Sequence, residues 1–387
     1  MRTAPDSRRL PLRWIARGGI ALVSLLLTVG TVEGYLRIRH PGSVDVLNNA
    51  AFTRVSTLPG QMTELIPGAR NQYFSGGVVQ INEHGFRGGS FLLEKRAATY
   101  RVLAVGDSVT FGFGVPHEKT FHQQLPAALS GTGTEVINLG LPGAGLPYYL
   151  HTIRRWCGQL SPDLVLVSVV LNDISEYPAD VLRDVPLARA RGPADPAAGA
   201  GILRQSYAFT SGFQLLKSML YAVGVLNLRD SPGYRFLALE NASGEVERGW
   251  ASSFAVLDAT SQAAAGCGVP WVLVVFPLEV QLSQAALAMY GDRIGIPLAA
   301  SATNLEPQRR LGAWATDNGV PFVDLTPAFR LDDPSEMYLR DLYVTLDPVH
   351  PSVRGHAAAA KLLSTELSRL GFVPPVAALP GPRPARR

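Results

Sequence analysis

At 387 residues the chain has room for one large domain plus flanking segments, and 47% hydrophobic against 17% charged residues excludes global disorder. The net charge of +4 sits on the tails: seven Arg against Asp6 and Glu33 give residues 1–40 a charge of +5, three Arg from Phe372 onward give +3, and the middle is left with −4. A nucleic-acid binder carries its positive charge on the folded domain, so this distribution argues against DNA and RNA as partners.

Five Arg (Arg2, Arg8, Arg9, Arg13, Arg17) precede an uncharged stretch, Gly18–Val32, and two follow it. Fifteen residues span only about 22 Å as a helix, short of the roughly 30 Å hydrocarbon core. Trp14 and Tyr35 bracket a longer unit of 22 residues, reaching about 33 Å, with Arg17 and Glu33 able to snorkel. The Arg bias predicts a single-pass anchor with a cytoplasmic N-terminus and an exported C-terminal bulk on the periplasmic or extracellular side. A cleaved signal peptide and a buried core helix are the competing readings. The first lacks an A-x-A site, for which Thr28-Val29-Gly30 is a poor substitute. Ser7–Arg13 also looks like a twin-arginine export signal without its usual Phe.

Residues 41–98 hold Gly-rich turn signals and short apolar pieces, predicting a small β-rich lead-in packed on the main domain. From 99 to 371 short apolar runs alternate with helical segments. RVLAVG ends at Asp107-Ser108, EVINLGL follows a helix, and DLVLVSVVL follows a second helix at about Leu146–Leu160. PWVLVVF and PFVDL are further runs, and a last helix is predicted at about Ser352–Leu370. This rhythm predicts an α/β fold with a parallel sheet covered on both faces. It breaks at about 174–248, read as an insertion over the sheet's C-terminal edge: a lid or acyl-binding wall, or a plain packing helix. The Pro/Arg-rich segment 372–387 reads as a disordered tail.

Ligands of open α/β sheets bind beyond the carboxyl ends of the strands, and several such ends carry useful groups in order, Ser108, the GLPGAG loop with Gly143, and Asn172, followed by the Asp347–His350 turn in the last loop before the closing helix. A serine hydroxyl needs a base to take its proton, and an imidazole needs a carboxylate to hold its tautomer. Asp347 lies three residues before His350, so one short loop can supply both. The backbone N–H groups of Ser108 and Gly143 and the Asn172 amide are candidate donors to the developing oxyanion. Asp107, Asp173 and His356 read as structural. There is no CxxC, and His117 and His122 are too isolated along the chain to suggest zinc. An oxidising compartment would let Cys157 and Cys267 pair, and two free thiols are equally compatible with the sequence.

Here the chain resembles the SGNH/GDSL hydrolases, in layout the bacterial members with an N-terminal membrane segment. Gly106–Val115 is similar to that family's nucleophile block and Asn138–Gly143 to the block whose glycine donates to the oxyanion, with Gly140 as the alternative glycine. Leu171–Asp173 is similar to the block supplying the oxyanion asparagine, and Asp347–Ser352 to the D-x-x-H block. The resemblance covers roughly residues 80–371, including the GFRGG lead-in. It implies a flavodoxin-like three-layer α/β/α sandwich and esterase, lipase, deacetylase or acyltransferase activity, without a metal or organic cofactor. The implied catalytic residues are Ser108, Asp347 and His350, with Ser108, Gly143 and Asn172 forming the oxyanion hole. One departure is Val170, which occupies a position often held by glycine. The implied substrate is an acylated small molecule, glycan or lipid, and O-acyl transfer to an envelope polysaccharide and a catalytically silent carbohydrate-binding or assembly module are the alternatives. The α/β-hydrolase elbow G-x-S-x-G does not fit, since Gly106-Asp107-Ser108-Val109-Thr110 has Thr110 where the elbow has its second glycine, and the dinucleotide fingerprint G-x-G-x-x-G does not fit, since GLPGAG has the wrong glycine order.

Overall fold

The computed structural model describes residues 9–39, 52–72, 78–97, 99–128, 133–183, 206–223, 225, 237–240, 242–288, 304–340 and 347–372. Segments 41–51, 73–77 and 184–205, with the Ala/Pro/Arg-rich part of the insertion, lie outside the described residues, as does the tail beyond Phe372.

Helix α1 (Arg9–Arg39) contains a 25-residue stretch, Trp14–Ile38, that is long and apolar enough to cross a membrane and is not buried against protein. The lead-in forms two short antiparallel hairpins, β1 (Thr53–Val55) with β2 (Thr63–Leu65) and β3 (Arg70–Gln72) with β4 (Val78–Gln80). They dock on the main domain through rings: Phe52 stacks on Phe111 at 5.3 Å and Phe86 meets Trp156 edge-on at 4.9 Å.

The main sheet comprises β5 (Tyr100–Gly106), β6 (Thr134–Gly140), β7 (Leu164–Val170), β8 (Trp271–Phe276) and β9 (Phe322–Asp324), all parallel, in spatial order β6-β5-β7-β8-β9. Every residue of β7 and β8 is buried, because both sheet faces are covered; their sequences therefore read as unbroken apolar runs rather than alternating ones. Helix α2 (Ser108–Phe111) follows β5 as a single turn, and α3 (Phe121–Ala128) completes the crossover to β6. Helix α4 (Leu146–Leu160) leads to β7. The chain moves one way from β5 to β6 and the other way from β6 to β7. Right-handed crossovers then put α3 and α4 on opposite faces. Accordingly α4 packs with α5 (Gly244–Gly266), and α3 packs with the last helix, α6 (Val353–Arg369). The result is a flavodoxin-like α/β/α sandwich. Its strand order reverses between β5 and β7, which opens the ligand crevice at their carboxyl ends.

Candidate active site

The crevice is built by four loops. At the end of β5, the Asp107 carboxylate caps α2 by accepting the Val109 N–H at 2.8 Å, so the strand turns into helix at Ser108. Behind this turn the buried Arg87 guanidinium donates to the carbonyls of Phe111 (2.7 Å), Gly112 (2.5 Å) and Val115 (2.7 Å). The lead-in therefore buttresses the serine loop directly.

After β6, the two candidate glycines part ways. A Cβ on Gly140 would lie 2.2 Å from the Phe111 backbone nitrogen, so Gly140 is where β6 and α2 touch. Gly143 has φ +75° and open space where a Cβ would stand, as an oxyanion donor requires. Gly140→Ala should therefore cost about 3 kcal/mol by overpacking, and Gly143→Ala about 1 kcal/mol through its left-handed backbone. Denaturant unfolding of both variants checks this. Equal midpoints for Gly140→Ala and the parent would rule out the close contact.

After β7, the turn Leu171–Asp173 carries Asn172. Val170 is extended here (φ −112°, ψ 154°), so the turn does not require glycine at that position. The Asn172 side chain lies near enough to Asp107 to favour its charged form, against the burial that pushes the carboxyl up. Asp173 accepts the Val170 N–H at 2.9 Å and the Tyr149 hydroxyl at 2.8 Å.

The fourth loop brings Asp347 and His350. It is pinned by Leu339 N–H to the His350 carbonyl (2.9 Å), by Ser352 N–H to Met337 O (2.8 Å), and by Glu279 N–H to Pro348 O (2.9 Å). His350 Nε2 lies 2.8 Å from Ser108 Oγ, and His350 Nδ1 lies 2.5 Å from Asp347 Oδ2. Asp347 Oδ1 accepts the N–H groups of Val349 and His350, both at 2.9 Å. Phe113 covers the imidazole, with ring centroids 4.6 Å apart.

Electrostatics follow from burial. For Asp347, burial pushes the carboxyl up, but the His350 charge and hydrogen bonds outweigh it and hold the group below the ordinary 3.8. For His350, burial pushes down, yet the Asp347 charge and hydrogen bond, aided by Asp107, leave it above the ordinary 6.5. Asp107 and Asp173 are both buried and both pushed up, chiefly by desolvation, with the Asp107 charge adding to Asp173.

The histidines that look isolated in sequence are not so in space. His117 and His122 rings lie 6.1 Å apart, and α6 brings His356 to stack on Phe121 and accept its N–H at 3.2 Å. Burial, helped by the Arg87 charge, pushes His117 to about 4 and His356 to about 3, so both are neutral. Among the described residues, no group of three His, Cys, Asp or Glu is arranged to hold a metal ion. Cys157 is buried on α4 and Cys267 is exposed at the end of α5; both are free thiols.

Ser108, His350 and Asp347 thus form one hydrogen-bonded series, with Gly143 and Asn172 on the neighbouring strand ends. Arg87 and Phe113 were not picked out as site residues. Arg87 lies within the GFRGG motif, whereas Phe113 gives no signal of its own because its role depends on a loop over 230 positions away.

A hydroxyl–imidazole–carboxylate series stands at the switch point of a flavodoxin-order sheet on an α/β scaffold. The profile of the GDSL-like lipase/acylhydrolase family matches residues 104–358, and the chain belongs to that family. An arylesterase of Vibrio mimicus is 33% identical over 88 residues, which are 22% of this chain and 44% of that protein. The chain thus spans less than half the length of this curated relative. A catalytic mutant of an acetylxylan esterase from Geobacillus stearothermophilus is similar at 15% identity, over 69% of this chain and 94% of that one, with a TM-score of 0.37. A GDSL-like lipase from Bacteroides thetaiotaomicron is similar at 15% identity, over 70% and 88%, with a TM-score of 0.33. Superpositions this loose add nothing to the family match.

Proposed function

We propose that this chain is a membrane-tethered serine esterase that removes ester-linked acyl groups from a cell-envelope glycan or lipid. The observation that carries the reading is the unbroken series from Ser108 Oγ through the His350 ring to Asp347, at 2.8 and 2.5 Å. In this mechanism Ser108 Oγ attacks the ester carbonyl as His350 Nε2 takes its proton. Asp347 keeps Nδ1 protonated and stabilises the imidazolium. The oxyanion is received by the N–H groups of Ser108 and Gly143 and by the Asn172 amide. His350 returns the proton to the departing alkoxide, leaving an acyl-enzyme. A water that loses its proton to His350 then releases the acid and restores Ser108.

In this reading residues 1–40 hold the cytoplasmic stub and anchor, and 41–98 the supporting lead-in. Residues 99–371 are the catalytic domain on the periplasmic or extracellular side, with 372–387 as a tail. The Arg bias before α1 and the exposed apolar stretch Trp14–Ile38 support that topology.

The test is mass spectrometry of envelope glycans and lipids from cells carrying the parent chain or Ser108→Ala. Acyl esters should accumulate in the variant. Loss of acyl groups instead would identify an O-acyltransferase, and an unchanged envelope together with an inert purified protein would leave a silent module.

A further inference from the structure

The insertion contains a helix, Tyr207–Ala222, whose polarity is inverted for a soluble domain. Phe209, Phe213, Leu216, Met219 and Val223 recur at spacings of three and four, so they share one face, and they are 46–72% exposed. Tyr207, on the opposite side, is 2% exposed. A run of large apolar groups facing outward over four turns is more than scattered surface hydrophobes. Such a face needs an apolar cover.

The first turn of this helix is fastened to the end of α1. The Glu33 carboxylate accepts from Ser206 Oγ and from the Ala208 N–H, both at 2.8 Å, and the Arg37 guanidinium lies 5.5 Å over the Tyr207 ring. On α1, the described side chains from Trp14 to Val32 are all exposed, and only Glu33, Gly34 and Leu36 are half-buried. The docking point is therefore the C-terminal end of the membrane-length stretch, which closes at Ile38. The insertion helix begins where that stretch reaches its polar boundary, and its apolar face starts within one turn of the contact. Downstream, the insertion re-enters the domain at Leu237–Leu239, which packs on the Leu171–Asp173 turn that carries Asn172.

We infer that Tyr207–Ala222 is an interfacial membrane helix, lying on the bilayer with the Phe209–Val223 face sunk among the lipid headgroups and upper acyl chains. This rests on the reading of α1 as a membrane span. The bilayer is the occupant because the Glu33 contact fastens the helix to the end of the membrane-length stretch, which sets its exposed apolar face at the boundary of that stretch. An amphipathic helix of this kind binds in the plane of the interface rather than across it. The span and the interfacial helix together fix the domain at two points. The second point is joined by the chain to the segment that packs on the Asn172 turn.

The test uses the full chain with Cys157 and Cys267 replaced by Ser, reconstituted in phosphatidylethanolamine–phosphatidylglycerol vesicles. An environment-sensitive fluorophore is attached in turn to Phe213→Cys, Leu216→Cys, Met219→Cys and, within the span, Leu26→Cys. Probes at 213, 216 and 219 should be quenched at least twofold by lipids spin-labelled near the headgroup, and shielded from aqueous iodide. If the probe at 26 is quenched by lipid while those at 213, 216 and 219 remain open to iodide and untouched by lipid, the helix is not on the membrane and the inference falls alone. If the probe at 26 also escapes lipid quenching, the anchor reading fails and takes the inference with it. Shielding from iodide without lipid quenching would overturn the inference, and disulfide-linked dimers of the unlabelled Phe213→Cys protein would then assign the face to a second copy.

Discussion

Ser108→Ala lowers ester hydrolysis by the detergent-solubilised full chain by about 10⁴-fold or more, and abolishes labelling by an organophosphonate. The size follows from what the substitution removes. Without the hydroxyl there is no acyl-enzyme, and what remains is the effect of oxyanion donors on direct attack by water. The fold should be spared, because the cap of α2 belongs to the Asp107 side chain rather than to Ser108, and among the described residues Ser108 Oγ reaches His350 at 2.8 Å and Asp107 at 3.5 Å alone. The variant should therefore unfold at the parent's denaturant midpoint while being inactive. The measurement is initial rate on a short activated ester, with intact-mass detection of the phosphonyl adduct. A variant that hydrolyses at the parent rate, or still takes up the label, removes Ser108 as nucleophile.

The parts of the fold that were legible in the sequence are those whose cause is local. The sheet strands announce themselves because burial on both faces leaves no polar alternation. Leu146–Leu160 is readable as a helix because Pro147 sits in its first turn and its apolar positions follow a helical period. The candidate residues Ser108, Gly143 and Asn172 are readable for a related reason: each follows a strand's carboxyl end, where the fold requires a turn, whereas Asp347 and His350 lie in the loop before α6 and are readable from their spacing. What was not legible depends on which turns meet. Arg87 reaches carbonyls 24–28 positions away, and its place behind Ser108 exists only because the lead-in folds back on α2. The histidines at 117, 122 and 356 become neighbours only when α6 lies on α3, and Glu33 finds Ala208 across 175 positions. Val170 looked like a defect against the family's pattern. It is harmless because the backbone there is extended, a property set by the strand and not visible in the residue's identity.

Asp347→Asn lowers the plateau rate by about 10⁴-fold, because an amide that donates to Nδ1 holds the imidazole in the wrong tautomer for accepting the Ser108 proton. It should also move the pH dependence, and the direction is fixed by the electrostatics. His350 must be neutral to act as a base, so kcat/KM rises with pH through the imidazole's pKa, reporting the free enzyme. In the parent chain burial pushes that pKa down, but the Asp347 charge and hydrogen bond push it up further, so the midpoint lies above the ordinary 6.5. The substitution leaves the burial and removes both opposing effects. The midpoint should then fall in the variant even as the plateau collapses. A pH profile of kcat/KM for both proteins separates this from mere damage. A misfolded or loosened loop would lower the plateau and leave the midpoint of the residual activity in place. A midpoint that stays put, or one that moves to higher pH, would remove Asp347 as the partner that polarises His350. The neighbouring Asp107 would then be the carboxylate to examine, since its charge also reaches His350 and its side chain lies 3.5 Å from Ser108 Oγ.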